Sequence, residues 1–283
     1  MFWLTLTLLV LALAGAVLFA RTRRGPDLAA EYAHRRIAAL AASPVQPPRL
    51  LTESDLAALP APVQRYLRMS GSIGKPVVRN LQVAYDAVMF SKPGQPGMPG
   101  PAEQFNRFDL PRRLFLMRTR MFGLPVAVMH DYEGTRASMT VRVAGIFNVV
   151  DVHSDALART ETVTLLNDLC FFAPSWLADP RLAWLPLDDQ HTEVSFTQGP
   201  HRVSARLEFN DAGELVNFIS DDRGALQKDG SLRLLRWSTP MREYREFDGR
   251  RVATQGEAIF HYPEGDFVYG RFVLKQIRFD CPT

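Results

Sequence analysis

The sequence predicts an α+β protein: an N-terminal transmembrane helix, short helices, then a large curved antiparallel sheet, half-barrel in form, packed on one helix. Three observations predict it. Residues 2–20 carry no charge. From Val77 onward the hydrophobic period changes from helical to alternating. The commonest interruption between the alternating segments is a short turn, so strands pair with their neighbours and few βαβ units fit.

Phe2 to Ala20 is mostly Leu, Ala, Val and Phe, and Arg21, Arg23 and Arg24 follow at once. A helix of this length measures roughly 28 Å, close to the roughly 30 Å hydrocarbon thickness. No basic residue precedes the apolar run, and no Cys sits near Ala14, so an uncleaved anchor is expected over a removed signal or a lipoprotein site. The arginines place the following domain on the cytoplasmic side of the inner membrane by the positive-inside rule. An exported, periplasmic domain on an atypical anchor is the alternative.

Residues 21–51 read as a juxtamembrane helix, Asp27 to Ala42, and a stiff linker with Pro44, Pro47 and Pro48. The helix is expected to be solvated, with Arg35 and Arg36 available to lipid headgroups. A single β-rich domain, residues 52–283, follows. Thr52 and Asp55 have capping-box spacing ahead of a short helix. Pro62 suits the first turn of a second helix, which Val63, Tyr66 and Leu67 would dock, and Gly71 ends it.

Leu81, Val83 and Tyr85 share a face of the first strand, and Ser91 to Pro101 reads as a Pro/Gly-rich loop. Arg112 to Met121 is a strand with arginines on one face. Leu124 to Tyr132, Ala137 to Val143 and Ile146 to His153 continue the sheet. Thr160 to Phe172 interrupts as a helix, and strands resume after Pro186. His201 to Phe209 alternates cleanly, with Val203, Ala205, Leu207 and Phe209 on the buried face. Turns at Asn210–Gly213 and Asp248-Gly249 separate the strands that complete the chain.

Composition narrows the function classes. Hydrophobic residues at 47% and charged residues at 22% give an ordinary globular balance. A net charge of +3, with basic residues dispersed, gives no nucleic-acid-binding surface. Cys170 and Cys281 cannot form a disulfide framework, and Cys170, between Leu169 and Phe171, reads as a core thiol. There is no Walker loop, dinucleotide fingerprint, nucleophile elbow or zinc motif, so no cofactor and no metal are expected. Asp151, His153 and Asp155 alternate on one strand face, but a surface strand end explains them.

Five segments carry a resemblance. They are Leu59-Pro-Ala-Pro-Val-Gln-Arg-Tyr-Leu67; Asn167-Asp168-Leu169-Cys170; Ser220-Asp221-Asp222-Arg223; Trp237-Ser-Thr-Pro240; and Gly256-Glu257-Ala258 with Tyr262-Pro-Glu-Gly-Asp-Phe267 and Tyr269-Gly270. Together they resemble an uncharacterised bacterial family of membrane-anchored proteins, a domain of unknown function that transfers no catalytic residue. The order of elements is also similar to the half-barrel of lipoprotein-carrier proteins, which implies a curved sheet around an apolar cavity.

The leading expectation is a membrane-anchored module that binds a lipid or other hydrophobic ligand without catalysis. Phe115, Met117, Phe147, Phe171, Trp176 and Trp184 are its candidate contacts. The competing expectation is an enzyme on a membrane-derived substrate, with Asp168, Asp221 and Asp222 as acid–base candidates, provided that they converge. A buried Asp168 requires a partner such as an arginine from the 112–120 strand. Asp221-Asp222-Arg223 also reads as an Asp-rich turn with Arg223 as its ion-pair partner. A third expectation is a scaffold that presents a sheet edge to a protein partner.

Overall fold

The computed structural model describes residues 2–22, 27–42, 49–227 and 229–282. Arg23, Arg24 and the Pro-rich stretch 43–48 lie outside the described residues. Helix α1 (Phe2–Thr22) is continuous over 21 residues. Its side chains are described at Trp3 and 5–16. Among the described residues no helix is long and apolar enough to cross a membrane, so the expected spanning segment is not supported on that measure.

Helix α2 (Leu28–Ala41) starts at Asp27, whose side chain accepts from the Ala29 amide. A 3-10 turn (Glu53–Leu56) follows, opened by the expected capping box of Thr52 and Asp55. Helix α3 (Ala61–Met69) has Pro62 in its first turn and buries Val63, Tyr66 and Leu67, as the sequence predicts.

The sheet holds fourteen strands among the described residues: β1 (Asn80–Met89), β2 (Met98–Arg107), β3 (Arg112–Met121), β4 (Leu124–Glu133), β5 (Arg136–Val143), β6 (Phe147–His153), β7 (Leu182–Pro186), β8 (His191–Gln198), β9 (His201–Phe209), β10 (Leu215–Leu226), β11 (Leu232–Ser238), β12 (Met241–Phe247), β13 (Arg250–Tyr262) and β14 (Gly265–Phe279). The strand order is β6-β5-β4-β3-β2-β1-β14-β13-β11-β10-β9-β8-β7, with β12 also on β13. Two meanders are therefore joined through the β13–β14 hairpin, which pairs with β1. Helix α4 (Asp155–Phe172), capped by Ser154, leaves edge strand β6. It passes through the concavity, and a 3-10 turn (Pro174–Ala178) leads to β7 at the opposite edge. The result is a curved antiparallel half-barrel wrapped on a helix.

The pleat separates two cores. On β3, Phe115 and Met117 face α4, whereas Leu114 and Leu116 face outward and pack with Phe105 and Met129 under Leu28, Tyr32 and Leu40 of α2. Helix α2 is thus not a solvated spacer; it covers the convex face. Its arginines are held by the sheet: Arg35 pairs with Asp131, and Arg36 donates to Gln82 at 2.8 Å.

Other boundaries move for local reasons. The expected 91–101 loop includes the start of β2. Pro99 and Pro101 are tolerated because β3 pairs only with 102–107, leaving them free of a second ladder. Helix α4 begins at Asp155 and not Thr160, so Asp155 is the first residue of a helix and leaves the strand face of Asp151 and His153. Strand β7 ends at Pro186, so the strands resume before that proline and not after it. Asp221-Asp222-Arg223 lies inside β10, not in a turn.

The cover that α2 gives leads to an expectation. A chain starting at Arg49 should unfold at a lower temperature than one starting at Asp27, and should self-associate in size-exclusion chromatography. Equal melting temperatures and monomeric elution for both would show that α2 contributes nothing to the fold.

Candidate functional site

Helix α4 is buried on nearly all sides, yet it carries Glu161, Thr164, Asn167 and Asp168. Positions 161, 164, 168 and 172 fall on one stripe at helical spacing. That stripe faces the inward residues of β1 to β4, β10, β11, β13 and β14, leaving a cavity of about 140 Å³. Tyr85, Met89, Phe115, Phe172, Trp237, Met241, Tyr269, Phe272 and Leu274 form its apolar wall. Met89, Met241, Tyr269 and Phe272 are half-buried and make the mouth, while Gln104, Arg113, Glu161, Asp168 and Arg223 are buried and make the floor.

The floor is a charge network. Arg113 Nε lies 2.7 Å from Asp168 Oδ2, and its Nη1 lies 3.1 Å from Glu161 Oε2. Gln104 Nε2 and Asn106 Nδ2 each donate to Asp168 Oδ2 at 2.9 Å. His130 Nδ1 sits 3.0 Å from Glu161 Oε1. Burial opposes ionisation of Glu161, but His130, Arg113 and Arg223 outweigh it and hold its pKa at about 2. The expectation that a strand 112–120 arginine partners Asp168 is met by Arg113.

Arg223 reaches the floor through a register shift. On β10, Ser220 pairs with Trp237 and Arg223 with Leu235, so one extra residue is accommodated at Asp221-Asp222. Phe218 and Ser220 are buried before this bulge; Arg223 and Ala225 are buried after it. The bulge re-aims the side chains, turning Arg223 into the cavity and the two aspartates away from it. Arg223 donates to Thr164 Oγ1, and its guanidinium lies 4.3 Å from the Trp237 ring centroid.

Four of the five segments singled out in the sequence meet here; Leu59–Leu67 does not line the cavity. Asn167, Asp168, Arg223, Trp237, Gly256, Glu257, Ala258 and Tyr269 all line this cavity. A family model described as a family of unknown function (DUF6544) matches residues 49–272. The chain belongs to that family.

Among solved structures, the chain is similar to a DUF1329 family protein from Desulfovibrio piger at 13% identity and a TM-score of 0.43, covering 79% of this chain and 93% of that one. A LolA superfamily protein from Nitrosomonas europaea matches at 11% identity and a TM-score of 0.43, covering 80% and 96%. A putative outer membrane lipoprotein-sorting protein domain from Vibrio parahaemolyticus matches at 10% identity and a TM-score of 0.39, covering 72% and 86%. No curated protein matches.

Of the six expected ligand contacts, Phe115 alone lines the cavity. Met117 and Phe171 are packed into the core around it. Trp176 packs against Phe108 and donates to the Val78 carbonyl, and Trp184 donates to the Leu177 carbonyl at 3.3 Å. Phe147 lies on edge strand β6 and is 59% exposed. Of the three carboxylates, Asp168 is on the floor. Asp221 is exposed and pairs with Arg236 at 2.9 Å; Asp222 pairs with Arg159 and accepts from Ser204. The three do not converge, and Arg223 partners neither aspartate. Cys170 is buried, with burial pushing its thiol pKa up, and both cysteines are free. Among the described residues no cluster of His, Cys, Asp and Glu fits a metal.

Reading the sequence missed Glu161, His130 and the inward turn of Arg223. A signal existed for one of them: Glu161 stands two helical turns before Asp168, on the same face of the helix.

The depressed Glu161 pKa fixes a pH dependence. Its folded value lies below its unfolded value, so the stabilisation is complete above about pH 4.5 and is lost as pH falls toward 2. The shift corresponds to about 3 kcal/mol at neutral pH. Glu161→Gln should lower stability at pH 7 and flatten the acid limb of a denaturation-versus-pH profile between pH 5 and 2. An unchanged acid limb would show that Glu161 titrates alike in both states.

Proposed function

We propose that this protein binds a small amphiphile in the α4 cavity, polar end first, and holds it at a membrane surface. The observation that carries the reading is the arrangement of the cavity: methionine and aromatic side chains at the mouth, buried charged side chains on the floor. Apolar walls supply affinity through burial at about 25 cal/mol per Å². The thioethers of Met89 and Met241 adapt to shape. A cavity of about 140 Å³ is comparable to one that takes a benzene-sized group. It holds a ring or a short chain segment, and the rest of a longer lipid must leave through the mouth.

Binding is favoured over turnover. Asp168 Oδ2 is occupied by three donors, and Glu161 is held ionised far below neutral pH, so Glu161 is not poised as a proton donor there. No Ser or Cys lines the cavity.

Two features support attachment to the membrane. The sequence of residues 2–20 carries no charge, and Arg21, Arg23 and Arg24 follow it, the charge pattern of a membrane-associated segment. Helix α2 also aims its N-terminus at one end of the sheet. Ala39 accepts from Arg107, beside the start of β3, while Arg35 pairs with Asp131, opposite Leu114. Continuing along α2, Leu28 points toward the β3–β4 tip. There Phe122 is 97% exposed, Leu124 is exposed, and Phe147 and Val149 are exposed nearby on β6. Apolar residues bared at the end from which α1 arrives fit a bilayer surface. The positive-inside rule puts the domain on the cytoplasmic face.

Two measurements test this reading. Titrating the purified domain with 1-octanol and octanoate by calorimetry should show binding, and Ala258→Phe, which fills the cavity, should weaken it at least about tenfold. Absence of binding by the native protein, or full binding by the filled variant, would remove the cavity from the function. On cell fractionation, the full chain should pellet with membranes, and a chain starting at Asp27 should not pellet in carbonate-washed membranes. A soluble full chain would remove the anchor.

A further inference from the structure

We infer that Arg223 is the recognition group for an anionic head: the ligand carries a carboxylate or phosphate monoester that enters the cavity first and settles on this guanidinium. The inference rests on the cavity reading and adds the charge of the ligand to it.

Arg223 is 8% exposed and lines the cavity. Its five N–H donors are poorly matched by acceptors. Nη1 reaches Thr164 Oγ1 and, at 3.4 Å, the Thr160 carbonyl; Nη2 reaches Tyr269 Oη at 3.4 Å. Nε is buried without a hydrogen-bond partner. Among the described residues no carboxylate lies within ion-pair distance of it. Glu161 lies within its field but is engaged by His130 and Arg113. Burying a cation without a contacting counter-charge is costly. An arginine that serves packing alone has no need to be so placed.

The surroundings hold the fork still. Trp237 stacks on one face of the guanidinium, and its Nε1 donates to Tyr269 Oη at 3.1 Å. Thr164 is fixed on α4, which approaches β10 closely at Gly224, whose amide donates to Thr160 Oγ1 at 3.0 Å. The plane of the fork is therefore set before a ligand arrives, which favours bidentate recognition of carboxylate or phosphate. The contrast with Arg113, on the same floor, is direct: Arg113 contacts two carboxylates and Arg223 contacts none.

The test compares four eight-carbon probes on the native protein by calorimetry at pH 7: octanoate, octyl phosphate, 1-octanol and octyltrimethylammonium. The two anions should bind about 10- to 100-fold more tightly than octanol, as charge-assisted hydrogen bonds require, and the cation should bind most weakly. The tighter of the two anions names the head. Arg223→Met should bind octanoate and octanol within about threefold of each other. It should lose the preference for anions, with a melting temperature equal to or above the native one. Equal native affinities for octanoate and octanol would overturn the inference, even if Arg223→Met failed to fold. So would an anion preference that survives in Arg223→Met. Failure of all four probes is a different result, and it would defeat the cavity reading itself.

Discussion

The architecture depends on Arg113 reaching both carboxylates of α4. A helix surrounded by protein cannot carry Glu161 and Asp168 as free charges, because desolvation of each would cost several kcal/mol. Arg113 sits on the inward phase of β3 and touches both. Gln104 and Asn106 from β2 and His130 from β4 complete the set. Three neighbouring strands and one helix are thereby locked in a single register. Hydrophobic packing alone would tolerate a helix slid by a turn, since Leu165, Leu166 and Leu169 offer apolar contact at several heights. The network does not, because one turn of slip separates both carboxylates from their shared partner.

With the helix pinned on one side, the cavity follows from what the other side lacks. Strand β13 presents Ala253, Gly256 and Ala258 toward α4, all too small to fill the gap. A Cβ at Gly256 would fall 2.1 Å from Met241 Sδ, so this position keeps the mouth methionine in place. The bulge in β10 adds the polar element, since a regular strand would not keep Phe218, Ser220 and Arg223 all on the buried face. The convex face has its own, separate network, in which Asp131 is shared by Arg35 and Arg112. Helix α2 is therefore attached to the sheet by charge as well as by Leu28, Tyr32 and Leu40.

Much of the fold was legible because strands and hairpins obey local rules. The alternation of His201 to Phe209, the helical stripe through Leu166 and Leu169, and the Thr52–Asp55 box each depend on residues close in sequence. The buried partner of Asp168 was legible too, since a carboxylate among leucines demands a cation. The ligand contacts were less so. Phe147, Trp176 and Trp184 satisfy the same apolar pattern as Phe115, yet which aromatic faces a gap depends on how the sheet curves around α4, which is set by long-range pairing between β1 and β14. The docking of α2 was hidden for a similar reason: its apolar stripe is short, and its partner face lies more than sixty residues later. Arg223 was masked by the bulge, which breaks the alternation used to assign faces.

The two buried arginines separate what holds the site from what the site offers. Arg113 is fully engaged, and its charge is spent on Asp168 and Glu161, so it stabilises the folded chain and has little left for a ligand. Arg223 is held by a hydroxyl, an aromatic face and distant acceptors, none of which carries a full negative charge. A protein selected only for stability gains nothing from that second arrangement, because an apolar side chain of similar volume stacks on Trp237 without the desolvation cost. Incomplete satisfaction at one point of an otherwise satisfied floor is the arrangement expected when the missing acceptor belongs to a guest. The Met- and Phe-lined mouth suits a guest whose charge lies inside and whose apolar end faces outward.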